Sequence, residues 1–124
     1  MNLLIDFFTF FNQLDSTIKS KNLILKELFG TFHDNCIEAP FNCDYGSNIH
    51  LDENVYMNSS CCLLDVCRID IGANTLLGPG VHIYTASHSL DPIERRFTEF
   101  GKPVKIGKDC WIGGCAIICP GILV

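Results

Sequence analysis

The stretch "IGANTLLGPGVHI" at residues 71–83, together with "IGKDCWIGGCAII" at residues 106–118, decides the fold. Each stretch places an aliphatic residue at every sixth position and a glycine directly after it. A period of six fits neither the 3.6-residue period of an amphipathic helix nor the two-residue alternation of a half-buried strand. A fixed period of this kind indicates a repeat architecture, in which short units stack along one axis.

The six-residue spacing extends beyond the two quoted stretches, in three phases. An aliphatic residue or Met occupies Leu51, Met57, Leu63, Ile69, Ile71, Leu77, Ile83, Ile106, Ile112, Ile118 and Val124. We expect these residues to point inward from short strands, with three hexads closing one triangular turn and stacked turns sharing one core. Glycine at the second place of a hexad is expected at tight turns, because glycine takes positive φ without a steric penalty.

Residues 1–30 carry a different pattern, with apolar positions near the 3.6-residue period and a stop at Gly30. This predicts a helical segment of one or two short helices, followed by the repeat at 31–124. The opening "MNLLIDFFTFFNQL" is apolar, but Asp6 interrupts it, no basic segment precedes it and no small-residue cleavage site follows. We therefore expect neither a signal peptide nor a membrane span.

The composition restricts which partners the protein can bind and in which compartment it is expected. Nine Lys and Arg against fourteen Asp and Glu give a net charge of −5, and the basic residues form no stripe, which argues against nucleic acid. The cysteines show no C-x-x-C pairs and no metal-type spacing. We expect buried thiols in a reducing cytoplasm at Cys61, Cys62, Cys67, Cys110, Cys115 and Cys119.

The segment "YTASHSLDPIERR" at residues 84–96 interrupts the repeat. Ile83 and Ile106 are 23 residues apart, which no multiple of six fits, so we expect residues 84–105 to form an extruded loop. A histidine, with an ordinary pKa near ~6.5, can accept and return a proton close to neutral pH. The residues alone leave His88 with two interpretations, a general base and a solvated loop histidine.

The hexads resemble the left-handed parallel β-helix of the hexapeptide-repeat acyltransferases. More narrowly, "PFNCDYGSNIHLDENVYMNSSCCLLD" at 40–65, "TASHSLDP" at 85–92, "EFGKPVKIG" at 99–107 and "CWIGGCAIICPGI" at 110–122 resemble the maltose, galactoside and nodulation-factor acetyltransferases. The resemblance implies an O-acetyltransferase that uses acetyl-CoA as co-substrate, needs no metal and works as a homotrimer. Members usually have another helical stretch before this region and further coils after it, which complete the coenzyme A groove, so the chain resembles a form truncated at both ends.

The resemblance also implies roles for single residues. It makes His88 the general base that activates the acceptor hydroxyl. It makes Asn58 a donor to the developing oxyanion, in contact with the acetyl group. The carboxylates expected to face or adjoin a sugar or other hydroxyl acceptor are Asp44, Asp65 and Glu99. The residues expected along the pantetheine arm of coenzyme A are Asn58, Trp111, Gly113 and Gly114.

Each role has a structural alternative. Asn58 suits a left-handed turn, Asp44 and Asp65 suit solvated turns, and glycines are what such turns require. His50 and His82 are expected at the surface, and no histidine follows His88 to complete the three-histidine metal site of gamma-type carbonic anhydrases, so we expect no metal. The alternative function is a non-catalytic β-helix remnant that acts only in assembly with complete paralogues.

Overall fold

The computed structural model describes Asn12 and residues 18–124. Helix α1 spans Ile18–Leu28 and lies within the predicted helical segment, which ends as expected before Gly30. The rest of that segment, apart from Asn12, lies outside the described residues. From residue 31 onward the chain is β-structure and turns, with a single 3₁₀ turn at Glu94–Arg96. None of the described helices has the length and apolar character that a membrane crossing requires.

Three parallel sheets form the body of the molecule. The first sheet contains β1 (Cys36–Ile37), β4 (Tyr56–Met57), β7 (Leu76–Leu77) and β12 (Trp111–Ile112). The second sheet contains β2 (Phe41–Cys43), β5 (Cys61–Leu64), β8 (His82–Tyr84) and β13 (Ile117–Ile118). The third sheet contains β3 (Ile49–Leu51), β6 (Ile69–Ile71) and β11 (Val104–Ile106). Two further strands, β9 (Ala86–Ser87) and β10 (Phe100–Gly101), pair antiparallel with each other.

The chain visits the three sheets in a fixed order, so it winds as a three-sided parallel β-helix with three corners. The first corner joins the first sheet to the second, at residues 38–40, 58–60, 78–81 and 113–116. The second corner joins the second sheet to the third, at residues 44–48, 65–68 and the long excursion 85–103. The third corner returns to the first sheet, at residues 52–55, 72–75 and 107–110.

The strand register explains the three phases of the six-residue period. Tyr56 pairs with Leu76, twenty residues on, whereas three hexads would place the partner eighteen residues on. The two additional residues lie in the third sheet, where each strand buries two side chains, such as Ile69 and Ile71 in β6. The phases are therefore parts of one continuous coil.

The predicted inward residues form the core. Those from Leu51 to Ile112 are buried, whereas Ile118 is half-buried and Val124 is exposed, because no described turn stacks against the last one. Leu25 of helix α1 and Phe29 directly after it cover the opposite end of the coil, and the ring of Phe29 meets that of Phe41 edge-to-face at 5.6 Å. Burial of such side chains is the main stabilising contribution in a solenoid of this size.

The expected reason for the second-place glycines is wrong. Positive φ falls instead on the fourth place of seven hexads, at Asn54, Ser60, Asn74, Gly80, Asp109, Cys115 and Gly121. Two of the second-place glycines, Gly72 and Gly78, are required by close approach of the neighbouring turn. A Cβ on Gly72 would lie 2.5 Å from both the carbonyl carbon of Gly107 and the backbone nitrogen of Lys108. Turns of the coil thus stack backbone against backbone at this corner.

The cysteine expectation is correct in part. All eight thiols are free, but of the six expected to be buried, Cys61 alone is fully so. Cys115 and Cys119 are exposed, which corrects the prediction. Cys115 occupies the left-handed fourth place of a corner, and Cys119 directly follows the inward Ile118, so both side chains face away from the core.

Candidate functional site

The excursion at the second corner is a short hairpin built from β9 and β10. His88 directly follows β9, and its side chain is exposed. The tip beyond it is held by its own hydrogen bonds: Asp91 Oδ1 accepts the N–H of Ile93 at 2.8 Å, and the Ser89 hydroxyl donates to Glu94 Oε2 at 3.0 Å. These local hydrogen bonds fix the backbone conformation of the residues after His88, although none of those residues is buried.

A cavity of about 530 Å³ opens beside the imidazole of His88. It is lined by Ser87, His88, Ser89, Leu90, Glu94, Phe100, Lys102 and Pro120. Among the described residues, His88 makes no hydrogen bond, so no neighbouring side chain engages its ring nitrogens. Lys102 and Pro120 were not predicted from the sequence, because they lie in irregular segments that have no period.

Asp65 is fully buried at the second corner, which corrects its expected contact with an acceptor. Its Oδ1 accepts the N–H groups of Asp44 at 3.1 Å and Tyr45 at 2.9 Å, and its Oδ2 accepts the N–H of Asn48 at 3.2 Å. Burial raises the pKa of Asp65, while the backbone donors act in the opposite direction. The carboxylate therefore holds the 44–48 turn in place and has no surface for a ligand.

Of the three predicted carboxylates, Asp44 and Glu99 are the two that a ligand can reach. Asp44 is half-buried and Glu99 is exposed. Burial raises the pKa of Asp44, and the negative charges of Asp65 and Glu99 raise it further. The structure thus brings the three predicted carboxylates to the corner from which the His88 hairpin projects.

Asn58 lies on the first corner, directly after β4, and is half-buried. Its Oδ1 accepts the N–H of Ser59 at 2.8 Å, and within the described part of the chain its Nδ2 has no acceptor. Its φ is not positive, whereas that of Ser60 is 67°. The interpretation of Asn58 as a left-handed turn residue is therefore wrong, and its carboxamide can donate to a ligand.

Gly113 and Gly114 belong to the same corner, and Trp111 lies two residues before Gly113, at the start of β12. The indole of Trp111 is 81% exposed, and a Cβ on Gly113 would meet no atom within 4 Å. A Cβ on Gly78 would lie 2.6 Å from the nitrogen of Gly114, so the Gly114 backbone rests directly on the turn below. This open backbone edge beside a flat apolar ring fits an extended ligand such as a pantetheine arm.

The two groups of predicted residues lie on opposite edges of the second sheet. Asn58, Gly113 and Gly114 lie at the first corner and Trp111 lies at the start of β12 in the first sheet, whereas His88 belongs to the second corner. The strands between the corners contain two to four residues, and four span about 13 Å. None of the residues lining the His88 cavity belongs to the first corner. One chain therefore does not bring Asn58 and His88 into one cavity.

The remaining histidines of the repeat have polar neighbours of their own. Nδ1 of His82 lies 2.7 Å from the Tyr84 hydroxyl, and Nδ1 of His50 lies 2.8 Å from the Thr31 hydroxyl. Both rings are half-buried on the outer side of their strands. Within the residues that the structure describes, no group of three His, Cys, Asp or Glu side chains is placed to hold a metal ion.

Known proteins share this sequence and this fold. No protein-family profile matches the chain. Nodulation protein L of Rhizobium meliloti is 45% identical over 111 residues, covering 88% of this chain and 61% of that protein. The structure of a maltose O-acetyltransferase from Clostridium difficile 630 is 42% identical with a TM-score of 0.92, covering 99% of this chain and 71% of that one. A hexapeptide-repeat acetyltransferase from Vibrio cholerae, complexed with acetyl-CoA, is 34% identical with a TM-score of 0.92, covering 97% and 66%. The chain belongs to the hexapeptide-repeat acetyltransferase family.

Membership of the hexapeptide-repeat acetyltransferases confirms the predicted fold, a left-handed parallel β-helix with a short helical segment before it. The hexapeptide-repeat chain spans about 60% of the length of the curated relatives it matches. Its activity, substrates and partners are therefore argued below from its own residues.

Proposed function

We propose that this chain is an acetyl-CoA-dependent O-acetyltransferase that moves an acetyl group to a hydroxyl of a sugar. The observation that carries the proposal is the exposed imidazole of His88, which faces a cavity on a hairpin at the same corner as Asp44 and Glu99. The relatives named for their substrates act on maltose and galactosides, and the Vibrio cholerae protein was solved with acetyl-CoA. These names support the choice of both substrates.

His88 supplies the proton chemistry in this proposal. It accepts the hydroxyl proton as the acceptor oxygen bonds to the thioester carbonyl carbon. It then returns that proton to the sulfur as the carbon–sulfur bond breaks, so the products are an acetyl ester and free coenzyme A. No covalent enzyme intermediate is required, because one imidazole performs both transfers.

Asn58 supports the same step from the first corner. Its Nδ2 donates to the negative charge that develops on the carbonyl oxygen of the tetrahedral intermediate. Because Oδ1 is held by the Ser59 N–H at 2.8 Å, the carboxamide is oriented before the charge develops. Trp111, Gly113 and Gly114 provide the edge along which the pantetheine arm lies.

The acceptor side of the site is acidic and polar. The carboxylates of Asp44 and Glu99 can accept hydrogen bonds from several hydroxyls of one molecule, which favours a neutral, polyhydroxylated acceptor over an anionic one. Asp65 contributes indirectly, by fixing the backbone of Asp44. A sugar is therefore the acceptor class that these side chains fit best.

The separation of Asn58 from His88 favours a homotrimer with its active sites between neighbouring copies. In such a ring each interface joins the first corner of one copy to the second corner of the next, which is a heterologous contact that closes after three copies. The eight free thiols favour a reducing compartment, and we place the protein in the cytoplasm.

Complementation between two inactive variants tests the shared site. Asn58→Ala and His88→Ala chains are each expected to be inactive, whereas a mixture refolded together regains about a quarter of the parent activity, the fraction of interfaces with both residues intact. Acetyl-CoA consumption with maltose or a galactoside as acceptor is the readout. An active parent whose mixed variants stay inactive contradicts the shared site.

The alternative is a β-helix that only assembles with complete paralogues, and the 60% span of the chain is the observation that favours it. Fluorescence of Trp111, which is the sole tryptophan, distinguishes the two functions. The enzyme proposal expects coenzyme A to change this fluorescence and the parent to consume acetyl-CoA. If neither occurs, the assembly function replaces the enzyme.

A further inference from the structure

The third corner repeats the construction of the first. At the first corner the second hexad place holds Asn58, Gly78 and Gly113, and at the third corner it holds Asp52, Gly72 and Gly107. At both corners a Cβ on the middle glycine would meet the backbone of the next turn, at 2.6 Å for Gly78 and 2.5 Å for Gly72. The same backbone geometry therefore recurs at the third corner.

A cleft of about 360 Å³ runs along this third corner and the outer side of the third sheet. Its charged lining consists of Arg68, Lys105 and Lys108 with Asp52 and Asp70. The chain as a whole carries −5, so the balance of charge is reversed in this cleft. Three cationic side chains against two carboxylates leave a small excess of positive charge, which attracts anions.

The carboxylate of Asp70 is already engaged within the cleft. Arg68 Nε lies 2.8 Å from Asp70 Oδ2 and Arg68 Nη2 lies 2.8 Å from Asp70 Oδ1. The Arg68 hydrogen bond holds the pKa of Asp70 below its usual range, with smaller contributions from His50 and Lys105. Among the described residues no carboxylate pairs with Lys105 or Lys108, so both ammonium groups can serve an anion from solvent.

Polar side chains are also aligned along the cleft from turn to turn. His50, Asp70 and Lys105 are register partners on neighbouring strands of the third sheet, with Thr31 bridged to His50 at one end. The Thr31 hydroxyl lies 2.8 Å from His50 Nδ1, which fixes the ring at that end. The cleft thus combines fixed polar groups with two lysines that have no carboxylate partner in the described part of the chain.

We propose that this third-corner cleft binds the phosphate or pyrophosphate group of a small, extended ligand. Ammonium groups form short, charge-assisted hydrogen bonds to phosphate oxygens, so Lys105 and Lys108 are the groups proposed to hold the anion. The first sheet separates this cleft from the coenzyme A edge at the first corner. The site is therefore independent of the acetyl transfer proposed above.

Binding of inorganic pyrophosphate to the parent chain tests the proposal, followed by backbone amide shifts in NMR. Saturable shifts are expected at Gly72, Gly107 and Lys108. Lys105→Gln is expected to weaken the binding about fivefold to tenfold, because one charge-assisted contact is lost. Lys26→Gln, an exposed lysine on α1, removes the same charge and is expected to leave the affinity unchanged.

Three outcomes overturn the proposal. One is equal weakening by Lys105→Gln and Lys26→Gln, which would show attraction to net charge alone. Another is a shift confined to Gly113 and the Trp111 indole, which would place the anion on the coenzyme A edge. The third is the absence of saturable shifts. Unchanged amide shifts away from residue 105 in the ligand-free Lys105→Gln chain verify that this variant is folded.

Discussion

The Oδ1 atom of Asp65 accepts the backbone N–H of Asp44 at 3.1 Å, so a buried carboxylate in one turn of the coil fixes a residue of the turn before it. Asp44 is one of the two carboxylates proposed to contact the acceptor. Asp65 therefore acts on the acceptor only through the position of Asp44.

This buried carboxylate makes stability depend on pH. Because burial raises the pKa of Asp65 above its unfolded value near ~3.9, the folded chain binds the proton more tightly than the unfolded chain. Its contribution to stability is complete below about pH 4 and is lost as the pH rises through the folded pKa. The stability difference between the parent and Asp65→Asn is therefore expected to fall from pH 3 to pH 7, as measured by urea midpoints.

Asp52→Asn, which removes an exposed carboxylate, corrects this comparison for the change in net charge. A difference between parent and Asp65→Asn that stays constant or grows with pH contradicts the assignment.

For His88, alanine removes the proposed base without touching the core. His88→Ala is expected to lower kcat by about 10² to 10⁴-fold and to leave Tm unchanged, because the side chain is exposed. His33→Ala, an exposed histidine on the turn before β1, is the matched control and should keep full activity. The measurement is the steady-state rate with acetyl-CoA and maltose. A fully active His88→Ala chain would show that His88 is not the general base.

Leu76 and Leu77 are neighbours in β7 that face opposite sides of the first sheet, at 46% and 1% exposure. Leu77→Ala is expected to lower the free energy of unfolding by about 2–5 kcal/mol, because it opens a cavity in the core. Leu76→Ala should change it by less than about 0.5 kcal/mol. Chemical denaturation measures both, and equal losses would show that the strand is not oriented as described.

The glycines of the corners offer a second matched pair. Gly72→Ala places a methyl group 2.5 Å from the Gly107 backbone and is expected to destabilise by about 1–3 kcal/mol. Gly113→Ala meets no atom within 4 Å and should leave Tm close to that of the parent. Thermal unfolding is the measurement, and a neutral Gly72→Ala would mean that the turns are further apart than described.

The inward residues could be predicted from the sequence because every hexad repeats the same environment, so a period suffices to find Met57 or Ile83. The left-handed fourth place was missed because its occupants, which include Asn, Ser, Asp, Gly and Cys, share no single chemical character. The structural role of Asp65 was also missed. Its partners are backbone N–H groups 17 to 21 residues earlier, and no side-chain pattern marks them.

The separation of Asn58 from His88 across the second sheet likewise could not be predicted without knowing the strand order. The resemblance assigned Asn58 and His88 to one reaction, but only the order of sheets and corners places them on different edges.

The parallel pairing of the first sheet keeps its register across the hairpin that carries His88. Leu76 pairs with Trp111 in the same parallel register as Tyr56 with Leu76, although 35 residues separate the first pair and 20 the second. Closing the longer loop costs only about 0.5 kcal/mol more, since loop entropy grows with the logarithm of length. A longer connection between two strands therefore leaves the stacking of the turns on either side of it unchanged. Insertions or deletions in this hairpin can diversify which acceptors are recognised while the rest of the scaffold keeps its dimensions.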